Sequence, residues 1–493
     1  MFTYAKPEEA GISSENIRQY IDILETSGLS THNVVIAKGD KIVYESYWAP
    51  FHKDFLHRMY SVTKSFVAIA IGFLIQDGKL SLDDRIVDKF PADITEGANE
   101  NMKKQTIRNM LMMSTGFPAA NGNWFARKPD DRVKDYFSHG EGYSKIPGSF
   151  FEYDSHGSFV LGAMVERISG MEFIDYLRLK LFDKIGVSKE AFCLKCPGGY
   201  AWGDSALLCT ATDLLKVAKF TMNLGSWEGE QILDADYLRE ATSNLIPTHW
   251  DNDRPSNFGY GYLIWRQQQN SFFFNGMGCQ FAVCVPDKDM ILIYNGDNQG
   301  MPSAKTIIID NFYNVIVNNT SDEALPSNDI AFKKLTDMSN NLKLMHCKDD
   351  TNSPFEKKIN GKKFVLDENQ MGIKNVTFTF SGDEGVMAYT NAQGYKELPF
   401  GLGKNIFCKF PQSGYSDMCG SKNTENLYYD CASSAEWLAE TALYLNVQII
   451  DKYFGRLHMY FSFTDENTVS VRMTKVAEDF LDEYQGKAIG IRA

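Results

Sequence analysis

The stretch Ser61-Val62-Thr63-Lys64-Ser65-Phe66-Val67-Ala68-Ile69-Ala70-Ile71-Gly72-Phe73-Leu74-Ile75-Gln76 decides how this 493-residue chain is read. From Phe66 onward it is apolar on every side of a helical wheel: Val67, Ile69, Ile71, Phe73, Leu74 and Ile75 leave no polar stripe. A helix apolar all round is buried all round, so a helix over 61–76 is predicted in the middle of a domain, stopped by Asp77-Gly78. Its first turn is polar. Ser61 and Lys64 stand one turn apart on one face, beside first-turn N–H groups that lack intrahelical partners and can meet a developing oxyanion. A serine hydroxyl is a poor nucleophile until a neighbour takes its proton. Lysine does so only when neutral, and at its ordinary pKa of ~10.4 roughly one lysine in 2,500 is neutral at pH 7. Burial, a second cation or a tyrosine hydroxyl would improve that fraction. Ser-x-x-Lys occurs only here in the chain. Taken alone, the four residues also fit a serine cap followed by a solvated lysine.

Outward from this helix, Ser13-Ser14-Glu15-Asn16 reads as a capped helix start continued by Ile17, Tyr20, Ile21 and Leu24. Residues 33–44 read as two strands joined at Gly39-Asp40. Helical spacing recurs over 157–168 and 212–223, strand signals over 260–266, 271–275, 280–285 and 290–295, and a closing helix over about 303–317. The polar stretch 318–329 is read as a linker. Beyond it, Val376, Phe378 and Phe380 alternate with polar residues. So do Leu443, Leu445, Val447 and Ile449, then Leu457, Met459, Phe461 and Phe463, then Val469, Val471 and Met473. That period of two is an antiparallel meander. The predicted organisation is therefore α+β: an antiparallel sheet flanked by helices with a helical subdomain over 1–320, and an accessory, mostly antiparallel β domain over 331–493, lipocalin-like or a small barrel.

Composition sets the outer bounds. Hydrophobic residues make up 44% and charged residues 23%, which excludes a disordered or fibrous chain. Fifty basic against 63 acidic residues give a net charge of −13, the wrong sign for nucleic acid or an anionic membrane as main partner. No run of 18 apolar residues occurs, and the first residues, MFTYAKPEEAG, lack a secretion pattern. With nine cysteines, an odd number, this leads to the expectation of free thiols in a cytoplasmic protein.

Two further segments carry chemistry. Tyr153-Asp154-Ser155 follows Pro147-Gly148 and precedes a helical stretch; a tyrosine near the Ser61/Lys64 pair could relay protons. Asn275-Gly276-Met277-Gly278-Cys279-Gln280 lies between two strands, and glycines there mark close approach of something to the backbone. A strand edge donating an N–H to an oxyanion and a simple bulge both fit.

Taken together, these segments resemble the class C β-lactamase-like serine hydrolases, which share the penicillin-recognising fold and include esterases, D-aminopeptidases and 6-aminohexanoate-dimer hydrolases. The likeness runs from about Pro7 to residue 318. It is carried by Tyr60-Ser-Val-Thr-Lys-Ser-Phe, Asp77-Gly-Lys-Leu-Ser-Leu-Asp-Asp-Arg, Thr106-Ile-Arg-Asn-Met-Leu-Met-Met-Ser-Thr-Gly, Pro147-Gly, Tyr153-Asp-Ser, Thr212-Asp-Leu-Leu, Asn223-Leu-Gly-Ser-Trp, Gly276-Met-Gly-Cys-Gln and Val285-Pro-Asp. The resemblance implies Ser61 as nucleophile, Lys64 as its base partner and Tyr153 as the third catalytic group. It also implies an oxyanion hole from the N–H groups of Ser61 and Cys279, and substrate contacts from Ser155, Gly276, Met277 and Gly278. The β-lactamases themselves carry Tyr-x-Asn where this chain has Tyr153-Asp154-Ser155, and Lys-Thr-Gly where it has Gly276-Met277-Gly278. An arginine from 251–266 could replace that lysine.

The remaining candidates are Cys193-Leu-Lys-Cys196, a lone CxxC two ligands short of a zinc site, and His156, three residues after Tyr153. No metal and no cofactor is expected. The expectation is a serine hydrolase acting through an acyl-enzyme on a small ester, amide or D-amino-acid-containing peptide, with a homodimer through the C-terminal domain. The alternatives are a β-lactam-hydrolysing or β-lactam-binding protein, or a non-catalytic scaffold of the same fold.

Overall fold

A computed structural model describes residues 2–117, 131–138, 144–196, 198–248, 256–415 and 426–493. The chain divides into two compact units at Lys343/Leu344.

The first unit is built on a seven-stranded sheet in the order Thr3–Tyr4, Lys41–Tyr47, Thr31–Lys38, Met290–Gly296, Gln280–Val285, Phe272–Gly276, Trp265–Arg266. Its first pair is parallel and the others are antiparallel, so the sheet is mixed by one short edge strand. The hairpin between Thr31–Lys38 and Lys41–Tyr47 turns at Gly39 with φ +61°, as its Gly-Asp signal suggests. The central strands are buried residue after residue, because helices cover both faces. On one face Cys284 reaches the Ala218 carbonyl of helix Ala211–Met222 at 3.9 Å. Helix Ser14–Thr26, capped by Ser13, binds the closing helix Ala304–Asn311 through Tyr20 Oη and the Ile308 carbonyl at 3.2 Å.

The apolar stretch forms helix Thr63–Gln76, buried along its length through Leu74. It is shorter than the sequence pattern suggests, since Tyr60–Val62 is a 3₁₀ turn and Ser61 sits in that turn. Helix Ser155–Ser169 packs alongside it and ends at Gly170, φ +70°. Of the expected strand over 260–266 only Trp265–Arg266 forms. The reason is local: Leu263 takes φ +53° and passes its N–H to the Leu111 carbonyl, which breaks the ladder.

The stretch 318–329 is strapped onto the first unit. Ser321 and Leu325 give their N–H groups to the carbonyls of Gly11 and Glu8, at 2.9 and 2.8 Å, and Lys38 Nζ bonds the Ser321 carbonyl at 2.8 Å. Helix Asp329–Ser339 follows within the same unit, with its Ser339 hydroxyl 3.0 Å from Tyr44 Oη. No helix among the described residues is long and apolar enough to cross a membrane.

The second unit is a closed β-barrel. Its ten strands run Gly394–Leu402, Glu384–Asn391, Asn375–Ser381, Lys363–Leu366, Gly486–Arg492, Thr468–Ala477, Phe454–Asp465, Ala442–Ile450, Asp430–Ala439, Ile406–Lys409. Ladders are antiparallel except at the seam, where Gly401 and Leu402 pair in parallel with Ser434 and Ala435 and close the ring. The ring closed in this way has nine strands, against the eight of a lipocalin, and the tenth, Ile406–Lys409, pairs with Asp430–Ala439 beside the seam. Inward positions are large: Phe378, Met387, Phe400, Leu445, Met459 and Phe461 are all buried.

Candidate active site

Ser61 is presented by a tight local structure. Tyr60, immediately before it, takes φ +46°, a left-handed conformation that costs a non-glycine residue of order 1–3 kcal/mol and persists only when its surroundings enforce it. The enforcement is visible. Tyr60 is buried, with the Arg58 guanidinium 4.3 Å above its ring, and the same guanidinium lies 4.6 Å from the Trp202 ring. On the sheet side, a Cβ at Gly276 would fall 2.4 Å from the Met59 carbonyl. The glycine pattern thus marks a close approach, and what approaches is the chain itself, two residues ahead of Ser61. A side chain at 276 would require the Met59 backbone to shift, so the glycine there has a steric reason.

The two residues chosen for their spacing meet. Lys64 Nζ lies 2.8 Å from Ser61 Oγ and 2.6 Å from the Asp204 carbonyl. Lys64 is 1% exposed. Burial pulls its pKa from 10.5 down to about 8; Asp204 opposes the shift, Arg132 adds to it and Asp154 opposes it. At a pKa of about 8, roughly one lysine in ten is neutral at pH 7, some 250 times the ordinary fraction. Tyr153 joins them. Its hydroxyl shares a hydrogen bond with the Ser61 side chain, and its ring lies 5.1 Å from Lys64 Nζ and stacks on Trp265 at 5.8 Å. Burial drives the Tyr153 pKa upward, so the phenol keeps its proton at neutral pH. The environment separates the roles: Lys64 can accept a proton and Tyr153 can give one.

Asp154 caps helix Ser155–Ser169 by accepting from the Gly157 N–H at 2.8 Å and takes a second bond from Thr115 Oγ1 at 2.9 Å. That cap fixes where Tyr153 leaves the loop. Ser155 is buried as the first residue of this helix, and its carbonyl accepts from Ser158 Oγ at 2.7 Å. Met277, Gly278 and Cys279 form the hairpin tip, with Gly278 and Cys279 at φ +76° and +74°. The Cys279 N–H closes this turn onto the Gly276 carbonyl at 3.2 Å. A substrate oxygen reaching that N–H has to share or replace this long bond. Gln280 braces the tip by donating to the carbonyls of Met277 and Gly296 at 2.8 and 2.7 Å.

Arg266, one of the arginines that could supply a cation, bonds the Thr242 carbonyl at 2.6 Å and Asn270 Oδ1 at 3.3 Å. Arg254 lies outside the described residues, as does Cys419. Cys193 and Cys196 do not converge on a common centre. Cys193 Sγ lies 3.6 Å from the Trp202 carbonyl and Cys196 Sγ 3.3 Å from Arg132 Nη1. Among the described residues no group of three or more His, Cys, Asp or Glu could hold a metal ion. Asp204, Arg132 and Trp265 were not visible as site residues in the sequence. Each belongs to a segment without a motif, and only the tertiary fold brings it to Lys64 or Tyr153.

With this geometry established, comparison with known proteins is decisive for the family: the Beta-lactamase family model matches residues 15–307. The chain belongs to the Beta-lactamase family. A curated relative, the 6-aminohexanoate-dimer hydrolase of Paenarthrobacter ureafaciens, is 22% identical over 227 residues, covering 42% of this chain and 56% of that protein. The chain therefore matches little more than half of that relative's length. Among solved structures, the D-amino acid amidase of Ochrobactrum anthropi SV3 with L-phenylalanine superposes with a TM-score of 0.51 at 18% identity, over 62% of this chain and 98% of that one. The octameric penicillin-binding protein homologue of Pyrococcus abyssi gives a TM-score of 0.50 at 16% identity, over 96% and 99%. At these identities the structures speak for the fold, and the archaeal one extends the likeness over nearly the whole chain. Ser61, Lys64 and Tyr153 all fall within the matched residues.

Proposed function

We propose that the protein is a class C-like serine hydrolase that works through an acyl-enzyme on a small ester, amide or D-amino-acid-containing peptide. The observation that carries the reading is the contact of Ser61 Oγ with a buried Lys64 whose pKa lies near 8. Neutral Lys64 takes the Ser61 proton as Oγ bonds to the substrate carbonyl carbon. The oxygen that gains charge is received by the N–H groups of Ser61 and Cys279, the latter giving up its turn bond. Tyr153 Oη delivers a proton to the leaving group as the tetrahedral centre collapses and takes the Ser61 proton on from the Lys64 ammonium, so that both groups return to their starting states. Water then repeats the sequence on the ester of Ser61 and releases the acid. The names of the D-amino acid amidase and of the 6-aminohexanoate-dimer hydrolase support the substrate class. So does the tip Gly276-Met277-Gly278, which offers no cation to a substrate carboxylate. The reading is tested with a panel of activated esters, D-amino acid amides and nitrocefin. Turnover of none of them, with no labelling by a fluorophosphonate, leaves a non-catalytic scaffold.

Two accompanying proposals concern setting and assembly. A cytoplasmic location is supported by the eight described cysteines, all free thiols. A homodimer through the barrel is supported by Val365, Ile489 and Ile491, each about half exposed on neighbouring strands. Light scattering on the wild type and on Ile491→Glu tests the assembly, and a monomeric wild type removes it.

A further inference from the structure

Two features that stand out in the sequence and that the mechanism leaves unused, His156 and the cysteine of CxxC nearest the site, have one neighbour in common. His156 Nε2 donates to the Arg132 carbonyl at 2.7 Å, and Arg132 Nη1 lies 3.3 Å from Cys196 Sγ. The Arg132 guanidinium also covers the Phe159 ring at 4.3 Å and pairs with Asp204 Oδ1 at 3.0 Å. The side chains of this ion pair are only 6% and 2% exposed. A buried ion pair is a weak source of stability, because desolvation offsets most of its attraction and apolar residues of the same volume often do as well. Its presence calls for another reason, and Asp204 supplies one: the main-chain carbonyl of the same residue accepts from Lys64 Nζ at 2.6 Å.

We infer that the Arg132–Asp204 pair is a positioning unit for Lys64: it anchors the Asp204 peptide so that its carbonyl holds the lysine nitrogen against Ser61, and the guanidinium cancels the field that the carboxylate would otherwise exert on that nitrogen. The inference rests on the reading that Lys64 activates Ser61. Five groups face Lys64 from the elements around it. They are the Ser61 hydroxyl on its own turn, the Tyr153 ring at 5.1 Å, and Asp154, held by Thr115 and the Gly157 N–H, ahead of helix Ser155–Ser169. Asp204 and Arg132 complete the set. Burial favours the neutral amine, Asp204 and Asp154 favour the ammonium, and Arg132 favours the amine. An unopposed Asp204 would therefore keep Lys64 protonated and unable to take the Ser61 proton. The pair has two partly separable effects, geometry and charge, and only the second changes sign between its members.

That sign makes the test specific. The pH dependence of Ser61 labelling by a fluorophosphonate is measured on the full chain, with the adduct located by mass spectrometry in the same samples. The wild-type rate rises with pH through about 8, as Lys64 loses its proton. Asp204→Asn removes a group that favours the ammonium, so the rise moves to lower pH. Arg132→Met removes a group that favours the amine, so the rise moves to higher pH. Each displacement is expected to be about half a unit or more, a threefold change in the neutral fraction. The double variant returns toward the wild-type position, and Arg132→Lys keeps it. A merely structural pair would lower the melting temperature of every variant without moving the rise in opposite directions. An unmoved rise in both single variants, or displacement of both in the same direction, overturns the inference. If Arg132→Met loses its circular dichroism signature, the volume-conserving Asp204→Asn decides alone, and an unmoved rise there overturns the inference too. A wild type that never labels on Ser61 overturns the hydrolase reading instead, so the two failures are distinguishable.

Discussion

In the first unit the buried residues include Arg58, Lys64, Arg132, Asp154 and Asp204, each 5% exposed or less as a whole residue. In the barrel, among the described residues, the buried polar side chains other than tyrosine and cysteine are serine, asparagine and glutamine: Ser353, Asn391, Gln412, Ser433, Ser434, Asn446 and Gln448. Both interiors contain hydrogen-bonded networks. In the barrel Tyr389 and Tyr484 join their hydroxyls at 2.6 Å and Asn391 donates to Gln412 at 2.9 Å. The difference is charge. Neutral pairs satisfy backbone-like polarity at small cost and can be placed wherever a barrel has to be filled. Ionised groups in a low-dielectric interior cost several kcal/mol each, and three of them, Lys64, Arg132 and Asp204, lie in one contact chain ending at a serine hydroxyl. In the first unit a run of buried charge leads to Ser61, whereas the buried polar groups of the barrel are amides and hydroxyls.

Substitutions that separate the two kinds of interior sharpen the contrast. The largest effect is expected from Ser61→Ala, which removes the nucleophile. Covalent labelling should vanish while the circular dichroism spectrum is retained, and hydrolysis persisting at wild-type rates would place the chemistry elsewhere. Next come Lys64→Ala and Tyr153→Phe, each expected to lower kcat by at least ~100-fold, the scale of lost acid–base catalysis. The double variant should lose far less than the product, because the groups act as one unit. A Tyr153→Phe enzyme with normal turnover would leave Lys64 alone on the proton path.

A tenfold effect concerns substrate. A charge-assisted hydrogen bond to a carboxylate is worth roughly 1.5–3 kcal/mol, or about 10- to 150-fold in binding, and the tip at Gly276 has no side chain to supply it. We expect kcat/KM for p-nitrophenyl butyrate to exceed that for nitrocefin on one preparation. A tenfold advantage for nitrocefin would restore a β-lactamase role. Gly276→Ala has to push against the Met59 carbonyl, at about 1–3 kcal/mol of overpacking. Its melting temperature and its labelling rate should fall together, since Met59 leads into the Ser61 turn. The smallest effect on activity belongs to the barrel. Tyr484→Phe leaves Tyr389 and Gln412 short of a partner. It should destabilise by about 1–3 kcal/mol in denaturant unfolding and leave Ser61 labelling within about twofold of wild type.

The sequence disclosed what is local or periodic. The all-round apolarity of 66–75 places the central helix, alternation places four of the ten barrel strands, and the Ser61/Lys64 spacing puts two side chains one turn apart that lie 2.8 Å from each other. The break at Leu263 was hidden, because the Tyr260–Arg266 pattern is strand-like and the kink comes from a bond to Leu111 far away in sequence. The stretch 318–329 has the composition of a linker, yet backbone bonds to Glu8 and Gly11 tie it down, and composition carries no record of such bonds. Parallel closure of the barrel at Gly401 and Leu402 leaves no periodic trace either. The environment of Lys64 was the least legible part. Which carbonyl holds it and which cation opposes Asp204 depend on segments brought together from about 70 to 140 positions away, and no motif surrounds them.

The most direct measurement is mass spectrometry of the protein after reaction with a fluorophosphonate. The account predicts a single adduct on the peptide carrying Ser61, formed faster as pH rises through about 8 and absent from Ser61→Ala. An adduct on a different serine, or a Ser61 adduct whose rate is flat from pH 6 to 10, would contradict the claim that buried, neutral Lys64 makes Ser61 a nucleophile.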